Sequence, residues 1–245
     1  MTKVIVRGAL GRMGKEIAKL VLEDDMLEVA ALIDINGDGT EVLKSLSDFT
    51  GEADVVIDFS HHSTVKEALD WAKEKNIPAV IGTTGCTEEE VAYIHETAET
   101  LPVFYSGNMS IGIAVLAAFA AEAARIMKDA DIEIVETHHK NKLDAPSGTA
   151  LLIANEIKTS RPDANFVIGR SGMRKREKND IGINSVRCGS IVGIHEIIIS
   201  TDSQTITLKH EAHDRALFAE GAVAAAKFVC GKKAGLYNIK DMVRK

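Results

Sequence analysis

The sequence predicts an α/β chain in two parts: a doubly wound parallel sheet, then a second α+β domain with a mixed or antiparallel sheet. Three observations carry this. The first hundred residues alternate short apolar runs with helix-like stretches. A glycine-spaced turn follows the first of those runs. From Gly182 onward the apolar runs succeed one another with short turns and no helices between them. Strand–helix alternation implies right-handed parallel crossovers, and consecutive strands imply an α+β arrangement.

In order along the chain, residues 4–6, 29–33, 55–57 and 79–81 are continuous apolar runs, and 103–105 is a weaker fifth. Such runs suit strands buried on both faces. Residues 11–22, 64–75 and 88–100 have helical periodicity. Gly8, Asp34, Asp58-Phe59-Ser60, Gly82-Thr83-Thr84-Gly85 and Ser106-Gly107-Asn108 follow the five strands. The carboxyl ends of parallel strands are where such sheets bind ligands. Residues 111–128 form an Ala-rich helix, 131–137 a strand and 147–160 a helix. Residues 182–187, 193–200 and 204–210 are strands, and 214–230 is a final helix with Asp214 as N-cap and Gly231 as stop. The expected division is a dinucleotide-binding domain of residues 1–109 and 214–245, with a substrate-binding and oligomerisation domain of residues 110–213.

Composition narrows the function classes. The formal charge of −7 argues against a nucleic-acid-binding surface. One basic run, residues 170–178, reads as a solvated mobile loop, with a lid or anion-steering loop as the alternative. Cys86, Cys188 and Cys230 are too scattered for a disulfide framework or zinc site. The longest apolar stretch, residues 111–121, is too short to span a bilayer, and the chain enters a strand without a leader-like segment. A soluble cytoplasmic protein is expected.

The turn Gly8-x-x-Gly11-x-x-Gly14 departs from G-x-G-x-x-G in having Leu10 at the middle glycine position. Its last two glycines keep the spacing that lets backbone approach a pyrophosphate and helix pack on strand. Asp34 follows the second strand, 20 residues after Gly14, where a carboxylate accepts hydrogen bonds from ribose hydroxyls. Strand, turn, helix and acid in this order predict a bound dinucleotide in a Rossmann-type domain. The Asp34 charge disfavours a 2′-phosphate, while Arg12 could pair with one. NADH is therefore the expected cofactor, with NADPH possible.

The segment from His138 to Thr149 places two imidazoles and two ammonium groups before a Pro-Ser-Gly-Thr helix start. His138 and His139 should point to opposite sides of a regular strand, so they do not make a shared metal site, and no metal is expected. Histidine donates a proton near neutral pH, and Lys142 neutralises a carboxylate or serves as a second acid. Ser147, Gly148 and Thr149 offer hydroxyls and first-turn amides to an anion. Asp144 suits capping the helix or orienting Lys142, and Pro146 suits the first helical turn.

The segment Glu133-Ile134-Val135-Glu136-Thr137-His138-His139, with Lys142, Asp144 and Pro146-Ser147-Gly148-Thr149-Ala150, closely resembles the signature of the 4-hydroxy-tetrahydrodipicolinate reductase (dihydrodipicolinate reductase) family. Gly8-x-x-Gly11-Arg12-Met13-Gly14, Asp58-Phe59-Ser60, Gly82-Thr83-Thr84-Gly85, Asn108-Met109-Ser110, Ser185-Val186-Arg187 and Gly235-Leu236-Tyr237 are similar to its other motifs. The resemblance implies NAD(P)H-dependent reduction of a dicarboxylate heterocycle to tetrahydrodipicolinate in lysine and diaminopimelate biosynthesis. It implies that Gly8, Ala9, Leu10, Gly11, Arg12, Met13, Asp34, Gly82, Thr83, Thr84, Ser106, Gly107, Asn108 and Met109 line the cofactor. It implies His138 as proton donor, Lys142 as second acid or anchor, and His139, Gly148 and Thr149 as carboxylate binders. It further implies a homotetramer. Ile35 follows Asp34 where some members carry a basic residue. Another amino-acid-pathway reductase of this architecture and an NADH-sensing regulator are the alternatives. The regulator would want a basic recognition helix, and a semialdehyde dehydrogenase would want a nucleophilic cysteine.

Overall fold

The computed structural model describes residues 1–243, which divide into two compact units. The first comprises Met1–Ile111 and the chain from Ala216 on; the second is Gly112–Arg215.

The first unit is built on a six-stranded sheet in which every pairing is parallel. Its strands are β1 (Thr2–Arg7), β2 (Leu27–Ile33), β3 (Val55–Asp58), β4 (Ala79–Ile81), β5 (Pro102–Tyr105) and β11 (Gly235–Tyr237), in the order β11-β5-β4-β3-β1-β2. Val4, Ile5, Val6, Val55, Val56, Ile57 and Val80 are fully buried, which is why these strands read as unbroken apolar runs. Helices α2 (Val65–Lys75) and α3 (Glu88–Ala98) cover one face through Val65, Leu69, Ala72 and Ile94. Helices α1 (Arg12–Leu22) and α6 (Ala216–Val229) pack against each other on the other face, where Phe228 meets Phe104 edge-on. The chain runs outward from β1 in both directions, so a switch point lies between β1 and β3.

The second unit carries a five-stranded mixed sheet, β10-β9-β6-β8-β7. Strands β6 (Asp131–His138), β8 (Asp180–Arg187) and β7 (Asn165–Ile168) are parallel; β9 (Gly193–Ser200) runs antiparallel to β6 and to β10 (Thr205–Ala212). Helices α4 (Ile111–Ile126) and α5 (Gly148–Ser160) lie on one face, against Ile132, Ile134, Ile181, Ile183, Ile197 and Ile199. The small residues Ala117, Ala120 and Ala124 let α4 approach closely. Because strand side chains alternate, Glu136 and His138 of β6 and His195 of β9 belong to this helix-facing side.

Two strands escaped the sequence reading. β7 and β11 are edge strands of four and three residues, too short for a periodicity to register. Other expectations need correction. Helix α6 starts at Ala216, two residues past Asp214, and Gly231 at φ 79° ends it as expected. Pro146 lies before the helix, after a cis Ala145–Pro146 bond, and Ser147 is the N-cap of α5, its Oγ accepting from Ala150 N at 3.1 Å. The basic run is a largely exposed loop, as expected, but it is ion-paired. Arg170 and Arg174 pair with Asp180, Arg176 with Asp131 and Glu133, and Lys178 with Asp129. Those acids on β6, β8 and the turn before β6 tie the segment to its own sheet. Among the described residues no helix is long and apolar enough to cross a membrane.

Candidate functional site

In the first unit the turn after β1 is pinned by backbone bonds. Gly8 N and Ala9 N donate to Ile33 O at 2.8 and 3.1 Å, and Gly11 N donates to Gly8 O at 3.0 Å. Gly8 sits at φ 77°, and a side chain there would meet Phe59 O at 2.5 Å; one at Gly14 would meet Gly8 O at 2.1 Å. The turn therefore excludes larger residues at both ends. No side chain caps α1, and its first turn holds no acid, so its N-terminal dipole is unopposed.

Gly8, Gly11 and Asp34 meet at one cavity of about 680 Å³, with Arg7, Ile35, Lys44, Phe59, Ser60 and His61 also in its walls. The Asp34 carboxylate stands at its rim. Oδ2 accepts from Leu10 N at 3.1 Å, and Oδ1 from Asn36 N at 3.0 Å and Asn36 Nδ2 at 3.3 Å. An ionised carboxylate has about four acceptor positions, so one more donor fits. A shaped cavity beside a glycine turn, an uncapped helix and a carboxylate with a spare lone pair suits the adenosine half of a dinucleotide.

The remaining cofactor candidates fall at the same carboxyl end of the parallel strands but outside this cavity. Ala9 and Leu10 line a separate hollow of about 430 Å³ with Lys15, Lys19 and Leu22. Arg12 and Met13 occupy the first turn of α1, Arg12 exposed. Gly82, Thr83 and Thr84 follow β4, and Ser106, Gly107, Asn108 and Met109 follow β5. Thr83 is buried, its Oγ within 3.1 Å of Asp58 Oδ1. Ser106 Oγ donates to Asn108 O at 2.7 Å, while the Met109 side chain is buried.

Arg7 is a residue the sequence reading missed. Its guanidinium donates to Asp58 at 3.0 Å, Glu67 at 2.6 Å and Thr64 at 2.9 Å, tying the ends of β1 and β3 to the start of α2. A charged residue ending an otherwise apolar strand was the signal that could have found it. Lys44 was missed too. It lies in a loop without periodicity and reaches the cavity only through tertiary structure.

In the second unit His138 ends β6 and is buried, with its Nδ1 2.5 Å from Glu136 Oε2. Burial depresses its proton affinity; Glu136 opposes that, and the charges of Lys142 and Arg187 add to it. His139 is half-buried just past the strand end. Lys142 N donates to His139 O at 3.1 Å, and its ammonium lies 2.8 Å from Asp144 Oδ1. That ion pair holds the Asp144 carboxyl below its ordinary range. Asp144 thus orients Lys142 and also accepts from the Gly148 amide at the start of α5, beside the N-cap Ser147. Gly148 and Thr149 open α5, so their amides belong to the helix end that favours an anion. His138, Lys142, Ser147, Gly148 and Thr149 thus gather at the junction of β6 and α5.

Three more residues complete this cluster. The Glu136 carboxylate is wholly buried, which alone would raise its pKa; hydrogen bonds from Arg187, Ser185, His138 and the Ser147 amide win and hold it at about 2. Arg187 meets Glu136 through both terminal nitrogens, at 2.9 and 2.8 Å. His195 packs edge-on to His138 with ring centroids 5.2 Å apart; burial and the neighbouring His138 push its pKa down to about 4. The cue for Glu136 and His195 was an ionisable residue on the inward face of a strand.

Comparison with known proteins covers the whole described chain. The family model "Dihydrodipicolinate reductase, N-terminus" matches residues 2–109 and "Dihydrodipicolinate reductase, C-terminus" matches residues 112–243. The 4-hydroxy-tetrahydrodipicolinate reductase of Caldanaerobacter subterraneus subsp. tengcongensis is 44% identical, covering 100% of this chain and 99% of its own. That of Clostridium novyi is 43% identical with the same coverage. The solved structure "Dipicolinate bound Dihydrodipicolinate reductase from Paenisporosarcina sp. TG-14" superposes with a TM-score of 0.85 at 28% identity, covering 99% of both chains.

Proposed function

Because the chain belongs to the dihydrodipicolinate reductase family, we propose that His138 and Lys142 carry its reduction of 4-hydroxy-tetrahydrodipicolinate. The enzyme works in lysine and diaminopimelate biosynthesis and uses NAD(P)H. The observation that carries the reading is the buried imidazole and the paired ammonium at the start of α5. In the proposal the first unit holds the cofactor and the second unit the substrate. Bound NAD(P)H supplies the hydride.

His138 delivers the proton that balances the charge arriving on the ring. Its lowered proton affinity makes the imidazolium a ready acid. Lys142, His139, Ser147, Gly148 and Thr149 hold the substrate's carboxylates, and Lys142 is the second candidate acid. The position beside Lys142 already accommodates the carboxylate of Asp144, which supports an anion site there. Gly8, Gly11 and Asp34 receive the adenosine end of the cofactor. Ala9, Leu10, Arg12, Met13, Gly82, Thr83, Thr84, Ser106, Gly107, Asn108 and Met109 make up the rest of its proposed contact set.

NADH is preferred in this reading, because Asp34 repels a 2′-phosphate; NADPH is tolerated through Lys44 in the same cavity or Arg12. Asp34→Ser should shift the ratio of kcat/KM values toward NADPH by about tenfold or more, since a hydrogen bond to a charged group contributes roughly 1.5–3 kcal/mol. Parallel titration of both cofactors checks this; an unchanged ratio removes Asp34 from the ribose site. A homotetramer is proposed on the second unit's sheet, whose face away from α4 and α5 carries Val135, Val186, Ile194 and Ile198. Sedimentation equilibrium tests it. The decisive assay generates the heterocycle in situ and follows NADH and NADPH oxidation. Oxidation that does not depend on the heterocycle overturns the reading.

A further inference from the structure

We propose that Glu136 is a positioning residue: its carboxylate sets the tautomer of His138 and, with Arg187, anchors the segment that bears Lys142. The proposal rests on the roles given above to His138 and Lys142.

Glu136 and His138 share a strand face, and the carboxylate has no solvent contact. Oε2 meets His138 Nδ1 at 2.5 Å and accepts from Arg187 at 2.9 Å; Oε1 accepts from Arg187 at 2.8 Å and from Ser147 N at 3.1 Å. An ionised carboxylate only accepts, so the imidazole carries its resident hydrogen on Nδ1. Nε2 is then the atom that gains and gives up the mobile proton. It faces Gly193, where even a Cβ would come within 3.1 Å of it. The absence of a side chain there leaves that nitrogen approachable.

The same carboxylate reaches the other catalytic candidate. Arg187 donates to Asp144 O at 2.5 Å, and Glu136 takes the Ser147 amide. The segment between Lys142 and α5 is therefore held at two backbone points by one buried ion pair. A positioned acid and a positioned ammonium both depend on it.

The charged and titratable groups facing His138 are Glu136 on β6, Arg187 on β8, His195 on β9 and Lys142 on the connecting segment, with His210 behind His195. Glu136 is the one acid among them. Removing its charge leaves burial and the two cations unopposed, so the imidazolium becomes harder to form. The alkaline limb of kcat/KM, where protonated His138 is lost, must then move to lower pH.

The test has two parts. On the wild-type chain, nitrogen-15 spectra assigned with His138→Gln should show Nδ1 protonated and Nε2 bare above the imidazole transition. The opposite tautomer overturns the proposal, whatever the variants do. In Glu136→Gln, with circular dichroism and the urea unfolding midpoint as controls for folding, kcat should fall about 10²-fold or more. KM for the heterocycle should change far less, and the alkaline limb should shift down by about one pH unit or more. A limb that stays in place with kcat within about threefold of wild type also overturns it. Should Glu136→Gln fail to fold, the wild-type spectra decide. If the wild-type chain oxidises no cofactor with the heterocycle, the parent reading fails, while the spectra still report on Glu136 and His138.

Discussion

Replacing His138 by glutamine and Lys142 by methionine together should lower kcat by about 10²–10⁴-fold while NADH binds as before. A general acid placed at its target contributes roughly 10²–10⁴-fold, and the ammonium adds charge neutralisation that glutamine and methionine cannot supply. The two side chains lie four residues apart at one strand–helix junction. Their separate losses should therefore not multiply, because once the proton donor is gone the anchor has less to serve. Cofactor affinity is the internal control, since the Gly8 turn and Asp34 belong to the first unit and His138 and Lys142 to the second. Stopped-flow oxidation with the heterocycle generated in situ, alongside fluorescence titration of NADH, measures both. A double variant with more than a tenth of wild-type turnover would remove this segment from the chemistry.

The second large effect concerns stability. Arg187→Met leaves the wholly buried Glu136 carboxylate without its cation. Breaking one side of a buried ion pair costs roughly 3–5 kcal/mol, and about 3 is expected here because Arg187 keeps 18% exposure. The pH dependence follows from the carboxylate. Its folded pKa, at about 2, lies below the unfolded value of roughly 4.3, so the pair stabilises the fold above pH ~4.3. That contribution fades as pH falls toward 2. The gap between wild type and Arg187→Met in urea unfolding should thus be full at pH 7 and shrink on acidification. A gap that grows as pH falls would show that Arg187 stabilises through something other than this carboxylate.

Much of the molecule was legible before any coordinates. Strands β1, β3 and β4 of the first unit are buried on both faces, and that burial is written as continuous Val/Ile/Ala runs. Asp34 stood out as an acid at a set distance past the glycine turn, and the structure places it at the cavity beside that turn. His138 and Lys142 stood out as basic groups beside a helix start. The start of that helix was read one residue early, since Ser147 caps it and does not join it. Strands β7 and β11 were not legible, because at an edge three or four residues pair without enough length to show a period. The basic segment of residues 170–178 is a largely exposed loop, as read, but its ion pairs were not legible, because the acids Asp129, Asp131, Glu133 and Asp180 lie on other elements.

The amino-acid order by itself determined which faces are apolar, where the glycine turn, Asp34 and the basic helix start fall, and hence the class of chemistry. Those properties are set by residues near one another along the chain. Only the tertiary structure decided who holds whom. Glu136 meets Arg187 across a separation of 51 residues because β6 and β8 are neighbours in register, and Arg7 meets Asp58 for the same reason in the first sheet. Periodicity reports the side of a strand that a residue takes. Strand order and register, which arise from packing the whole sheet, determine the partner waiting there.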